Sequence, residues 1–480
     1  MTCRVLLRCH GARWLVALAV SLVGLVGLAA PASGASTITV GPDVRNGYGT
    51  NDGCSLEEAF VLIQVLQVGG SETNDCGSTS GLSWPVTVSL TNNHTYTITD
   101  SDYANFPWNS STLSGNAFPV LSGSSTRVVV QGNGATIERA SGASNAFRFF
   151  RVENAASLSL TDLTLRNGRA DSTNGERGGA VYVEDADLSI TGSTFDGNYA
   201  LNWGGAVLAS QTGHLDIVDS VFVENQADLA GGAITADSST VRVNIWNSTF
   251  IDNVSYLGGG AIFSFGADPF NVFNSRFVGN QSLHSDGGAI DVEYGPLFVM
   301  GSTFEENQAS DYGGAVYLDY SASASFGTST FVGNVAKGGG AIYSYGDFEV
   351  LNSTFSGNST TSPMSGSAIY LAQNASARLS FVTFADQTGS PALAVGEIIQ
   401  QGTYYLKNVV LADPDVDECE NDPGLTVQTA GAVLADDGSC GSGVTVVPNL
   451  RSTLGPLADN GGPTQTHALL PASPAIGAVP

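Results

Sequence analysis

Residues 231–262 read GGAITADSSTVRVNIWNSTFIDNVSYLGGGAI: a Gly-Gly-Ala-Ile tetrad at Gly231–Ile234 that returns at Gly259–Ile262, with one F-x-x-N motif, Phe250 and Asn253, in between. The same pair of motifs extends in both directions. Tetrads of the form GGA[IV] begin at Gly178, Gly204, Gly231, Gly259, Gly287, Gly313 and Gly339, and Gly366-Ser367-Ala368-Ile369 is a degenerate copy. Their alanines step by 26, 27, 28, 28, 26, 26 and 27 residues. The interleaved pairs are Phe195/Asn198, Phe222/Asn225, Phe250/Asn253, Phe277/Asn280, Phe304/Asn307, Phe331/Asn334 and Phe355/Asn358. Phe384 continues the phenylalanine series, with Gln387 where the next Asn would fall.

A repeat of this length implies a solenoid in which each unit buries its apolar face against its neighbours. The segments between turns are short, alternating and rich in Val, Ile, Thr, Phe and Tyr, which specifies strand. The 59 glycines and the missing 3.6-residue pattern exclude helical repeats. A leucine-rich repeat needs a leucine ladder, where this chain has Ile, Val and Phe; a propeller blade needs about 40 residues. The fold class expected is therefore all-β, a single-stranded right-handed parallel β-helix. Equivalent residues then lie one rung apart, ~4.8 Å. The phenylalanines stack inside, the asparagines sit at a turn in a left-handed conformation and bond one another, and the double glycine allows a sharp turn. Ten to twelve rungs give a rod of roughly 50 Å.

The ends of such a coil need covers. Ser55-Leu56-Glu57-Glu58 is a capping box ahead of an apolar run from Ala59 to Val68, so a short amphipathic helix is expected to plug the first rung. The expected organisation is a signal peptide over 1–35, an N-terminal cap over 36–85, the β-helix over 86–403 with regular repeats at 178–387, and an irregular, loosely packed C-terminal cover over 404–480. The signal reading rests on Arg4, Arg8 and Arg13 before an apolar stretch from Trp14 to Ala30 and small residues near Ala32 and Ala35. Its removal leaves 14 bases against 44 acids, a balance of −30. That charge excludes nucleic acid and anionic membrane as partners and is compatible with calcium. Outside the signal the cysteines are Cys54, Cys76, Cys419 and Cys440. Export permits disulfides; of the three connectivities, Cys54–Cys76 and Cys419–Cys440 close the shortest loops.

GGA[IV] with F-x-x-N resembles the repeats of the chlamydial polymorphic outer-membrane proteins, which are β-helical surface adhesins. The resemblance covers residues 178–387. Cys54-Ser55-Leu56-Glu57-Glu58-Ala59 is similar to the CSLREA segment that opens many secreted bacterial β-helix proteins, with Glu57 in place of Arg. Residues 456–464 and 473–476 resemble the tail of the same proteins, with Gly477 where Asp is usual. These likenesses imply a secreted or cell-surface location. After residue 400 no run of ten-residue amphipathic strands suggests a membrane barrel, so export is expected to rest on the N-terminal signal.

Pectate lyases and polygalacturonases share this solenoid, so catalysis has to be tested. The only His-Gly is His10-Gly11 in the signal, and no R-x-K exists. Arg177, Arg242, Arg276, Lys337 and Arg378 are the bases of the array, and His94, His214, His284 and His467 are scattered. Strand alternation after each tetrad places one outward column at Tyr182, Leu208, Thr235, Phe263, Asp291, Tyr317, Tyr343 and Tyr370, and a second at Glu184, Ser210, Asp237, Phe265, Glu293, Asp319, Tyr345 and Ala372. This wall of aromatics and acids suits the apolar faces of sugar rings. Phe263, Tyr317, Tyr343 and Tyr345 are the expected ligand contacts. Asp291, Glu293 and Asp319 are candidate acid/base groups or calcium ligands, since like charges one rung apart raise each other's pKa or recruit a cation. The structural alternative is ordinary cross-strand stacking. The readings in play are a non-enzymatic, monomeric adhesin for extracellular polysaccharide or another cell-surface component, a polysaccharide lyase or hydrolase acting on acidic polysaccharide, and a passive spacer.

Overall fold

The computed structural model describes residues 36–45, 52–109, 115–171, 176–362, 365–389, 391–396, 402–413, 417–420 and 424–479; the expected signal peptide lies outside them. The chain winds as a right-handed parallel β-helix of about 11 turns. Each regular turn contributes three main strands and one short one, as in Ile234–Asp237, Val241–Trp246, Thr249–Ile251 and Val254–Ser255. Strands pair in parallel with their counterparts one turn away, so Val207, Ile234, Ile262 and Ile290 share one register column and Phe222, Phe250 and Phe277 another.

The core consists of side-chain ladders. The phenylalanine rings from Phe195 to Phe384 stack at centroid spacings of 4.7–4.9 Å, Phe250 on Phe277 at 4.8 Å and 3°. Beside them runs an amide ladder. Asn253 Nδ2 donates to Asn280 Oδ1 at 2.9 Å and to Phe222 O at 2.9 Å, while Asn253 N donates to the same Asn280 oxygen at 3.1 Å. Every ladder Asn is fully buried and has its amide satisfied, which is what makes a polar column tolerable in this core.

The asparagines are not the left-handed residues. That conformation belongs to the residue before each, such as Asp252 (φ 50°) and Gly279 (φ 63°). The Asn side chain must point inward to join the column, so the outward-facing neighbour absorbs the turn. A second left-handed position precedes a buried serine that the sequence reading did not single out. At Asn247-Ser248, the Ser248 hydroxyl donates to Trp246 O and its oxygen accepts from Ser220 N. The two glycines of a tetrad also differ in purpose. Gly231 has φ 68°, whereas Gly232 has no room for a Cβ because Gly260 O of the next turn occupies the place it would take.

Helix Leu56–Gln67 plugs the first turns, with the Ser55/Glu58 capping box formed and Phe60 stacked 4.1 Å from Phe118. The disulfides are Cys54–Cys76 and Cys419–Cys440. Both boundaries of the coil differ from expectation. Ser36–Thr39 already pairs with Val86–Ser89, and Gly402–Ala412 and Leu425–Ala435 continue the parallel ladder past residue 403. The remaining C-terminal residues form an ordered strap instead of a loose cover. The antiparallel pair Leu454–Ala458 and Thr466–Leu469 doubles back along the outside of the third wall. It is tied down by Thr330 Oγ1 to Gln465 O (2.6 Å), Thr464 Oγ1 to Thr328 O (3.1 Å), His467 Nε2 with Ser356 Oγ (3.0 Å) and the Arg451–Asp386 ion pair.

Candidate functional site

The expected columns are in register, Phe263 beside Asp291, Asp291 beside Tyr317, and Tyr317 beside Tyr343. Their exposure requires a correction. The residues just before the double glycines at Gly287 and Gly313 fold back over the outer face here, so this column is largely covered. Tyr343 is 2% exposed, Tyr317 9% and Asp291 3%, while Phe263 and Tyr345 are half-buried. Tyr312, from one such loop, stacks on Tyr343 at 4.4 Å, and Tyr343 stacks on Tyr370 at 4.8 Å. Tyr317 and Tyr343 thus form the floor of the region and are not part of its surface.

The exposed rings are others. Strand Ile290–Met300 pairs with the preceding turn through a bulge between Ser264 and Phe265, and with the following turn through another between Val292 and Tyr294. Each bulge interrupts the alternation that strand reading relies on. The result is an aromatic ridge of Phe265 (46% exposed), Tyr294 (45%) and Tyr320 (56%), joined by half-buried Tyr345. Phe265 meets Tyr294 edge-on at 5.0 Å, and Tyr320 stacks on Tyr345 at 4.1 Å. Tyr294 and Tyr320 were missed because simple alternation sends them inward.

The acids lie at the foot of this ridge. Glu293 and Asp319 are half-buried; burial, then the neighbouring Asp319, pushes the Glu293 carboxyl up to about 7. Asp286, from the covering loop, accepts from Tyr312 N at 3.0 Å, and burial raises it to about 6. Burial holds Asp291 well above the usual carboxylate range, with the charges of Glu293, Asp286 and Asp319 adding to the effect, and its Oδ1 has no hydrogen-bond partner. Asp286 was absent from the candidate acids; an acid directly before a double glycine was its one sequence signal. Among the described residues, no group of three or more His, Cys, Asp or Glu is placed to hold a metal ion.

Residues 192–210, 301–319 and 328–345 match the Chlamydia polymorphic membrane protein (Chlamydia_PMP) repeat. The chain carries repeats of this type on a β-helix. Each matched segment starts at the left-handed residue before the buried serine, passes through the ladder Phe and Asn, and ends in or one residue past the strand after the double glycine. The second and third of these repeats bring Tyr317, Asp319, Tyr343 and Tyr345 to the site. No curated protein and no solved structure matches the chain.

The geometry bears on the catalytic alternative. Among the described residues, the charges that act on Asp286, Asp291 and Glu293 are all carboxylates. Lys337 is held by Asp311 at 3.7 Å and lies 5.9 Å from the Tyr312 ring.

Proposed function

We propose that this chain is a surface-displayed, non-enzymatic adhesin-like β-helix that binds an extracellular glycan or another surface component through the ridge Phe265–Tyr294–Tyr320–Tyr345. The observation that carries this reading is the ridge itself. Large rings held in the open by bulges cost apolar exposure, and such patches mark contact surfaces. The flat C–H faces of pyranose rings fit them, and the Glu293/Asp319 pair supplies hydrogen-bonding oxygens alongside. A formal charge of −27 and acids at the site favour neutral or amine-bearing sugars over polyanions. The repeat type supports surface location, as do the export-like N-terminal sequence and the disulfides.

The test is calorimetric titration with neutral chito-oligosaccharides, glucosamine oligomers and oligogalacturonates. Neutral or amine-bearing oligomers should bind, and Tyr294→Ala or Tyr320→Ala should weaken binding by about two- to tenfold, the loss of one stacked ring. Both rings are exposed, so the variants should keep their melting temperature. Binding that survives both changes refutes the site. The raised Glu293 carboxyl favours one second reading, acid–base catalysis, because such shifts cluster at active sites. Depolymerisation of an acidic polysaccharide, with or without calcium, that disappears in Glu293→Gln would establish that reading instead.

A further inference from the structure

The amide ladder does not stop at Gln387. Its rule is that each backbone N–H and each side-chain amide donates to the side-chain oxygen one turn on. Asn358 N and Nδ2 both reach Gln387 Oε1, at 3.0 and 3.2 Å. Gln387 N then donates to Asp413 Oδ1 at 2.7 Å, and Asp413 N donates to Glu418 Oε1 at 3.0 Å. Asp413 thus occupies the next place of the column, and Glu418, five residues on in the same turn, accepts its backbone N–H; the two are 1% and 0% exposed.

What the ladder supplies elsewhere is missing here. An Asn in place of Asp413 would present an N–H to the next oxygen, but Asp413 presents Oδ2. That atom and Glu418 Oε2 are buried, and neither has a hydrogen-bond partner. Two carboxylate oxygens facing each other in a dry core repel; one proton between them turns repulsion into an O–H···O bond.

We propose that Asp413 and Glu418 form a buried site for one proton, which closes the amide ladder and locks the C-terminal turns around Cys419–Cys440. The surroundings favour the proton. Asp386, Asp436 and Asp437 add negative charge around the pair, and Glu420 is buried nearby in sequence. Arg451, the cation whose charge reaches Asp413, is committed to Asp386 by bonds of 2.6 and 2.9 Å. Burial raises both carboxyls of the pair, Glu418 the further. A carboxyl raised by folding contributes stability that is complete below its ordinary value, about 4, and is lost as pH climbs through the raised value. The C-terminal turns are therefore tightest in acid and loosen toward alkaline pH.

The test is hydrogen exchange, followed by mass spectrometry and corrected for intrinsic rates, on peptides covering 402–413 and 425–435 from pH 5 to 9. In the full chain, protection should fall by up to about tenfold per pH unit across part of that range, the limit for losing one proton. Asp413→Asn supplies a permanent N–H, and its profile should be flat. Glu418→Gln supplies the donor from the other side and should also flatten it, so the reasoning survives if one variant fails to fold. A variant profile as steep as the parent's overturns the proposal. So does protection in the parent that rises with added calcium at alkaline pH and is otherwise unchanged, since the pair would then hold a cation.

Discussion

Truncating Asn280 to alanine removes four hydrogen bonds from the middle of the ladder. Its Oδ1 accepts from Asn253 N (3.1 Å) and Asn253 Nδ2 (2.9 Å), and its Nδ2 donates to Phe250 O (3.0 Å) and Asn307 Oδ1 (2.9 Å). The backbone bond from Asn280 N to Asn307 Oδ1 survives the change. At about 1 kcal/mol net each, the lost bonds come to about 4 kcal/mol. The Asn253 N–H, left buried and unpaired, adds about 1–2 kcal/mol unless water enters. The predicted cost is therefore about 4–6 kcal/mol, large against the 5–15 kcal/mol of an ordinary domain. Asn280→Asp separates hydrogen bonding from cavity formation, because it keeps the shape and both accepted bonds but aims an oxygen at two other oxygens. It should destabilise strongly at pH 7 and recover partly in acid, where the protonated carboxyl donates once. A solenoid opens locally, so the assay is urea unfolding followed by hydrogen exchange at turns 249–255 and 276–282. A cost below about 1 kcal/mol for Asn280→Ala would refute the view that the ladder stabilises the coil, since that is the size of a single bond.

Two further perturbations separate the roles assigned above. Gly205→Ala drives a Cβ into Gly232 O and should prevent soluble folding, whereas Gly192→Ala meets open space, and its left-handed backbone (φ 57°) should cost only about 1–2 kcal/mol; comparable expression and melting of both would remove the distinction. Burial, opposed by the bond to Gly455 O, lowers the His467 pKa, with Arg451 lowering and Asp386 raising it. A base lowered by folding loses its contribution as pH falls below its ordinary value, about 6.5, so proteolysis within 454–469 should accelerate between pH 7 and 5, and His467→Gln should remove that dependence.

The two C-terminal elements thus respond to pH in opposite senses. The strap weakens in acid because a buried imidazole must stay neutral. The closing turns weaken in base because a buried carboxyl pair must keep a proton. A chain built this way holds both elements only across the middle of the range. Neither group was visible as a switch beforehand. His467 stood among scattered histidines, and Asp413 lay in an acidic stretch with no apparent relation to the asparagine series.

The winding of the chain was legible from residues 178–387 alone, because a parallel coil places each residue over its counterpart one turn away and so writes its register as a period. Phe250 over Phe277 and Asn253 over Asn280 follow from counting. The disulfide partners were legible for a similarly local reason, since each pair closes a short loop. The candidate site was legible only as a region. The residues named for contact, Tyr317 and Tyr343, lie under loops, and the exposed Tyr294 and Tyr320 come from bulges. A bulge adds one residue and reverses every later side chain, and no local composition announces it. Which face a loop covers, and where a tail returns over residues 328–356, depend on contacts across more than 100 residues of sequence, and those only the folded chain decides.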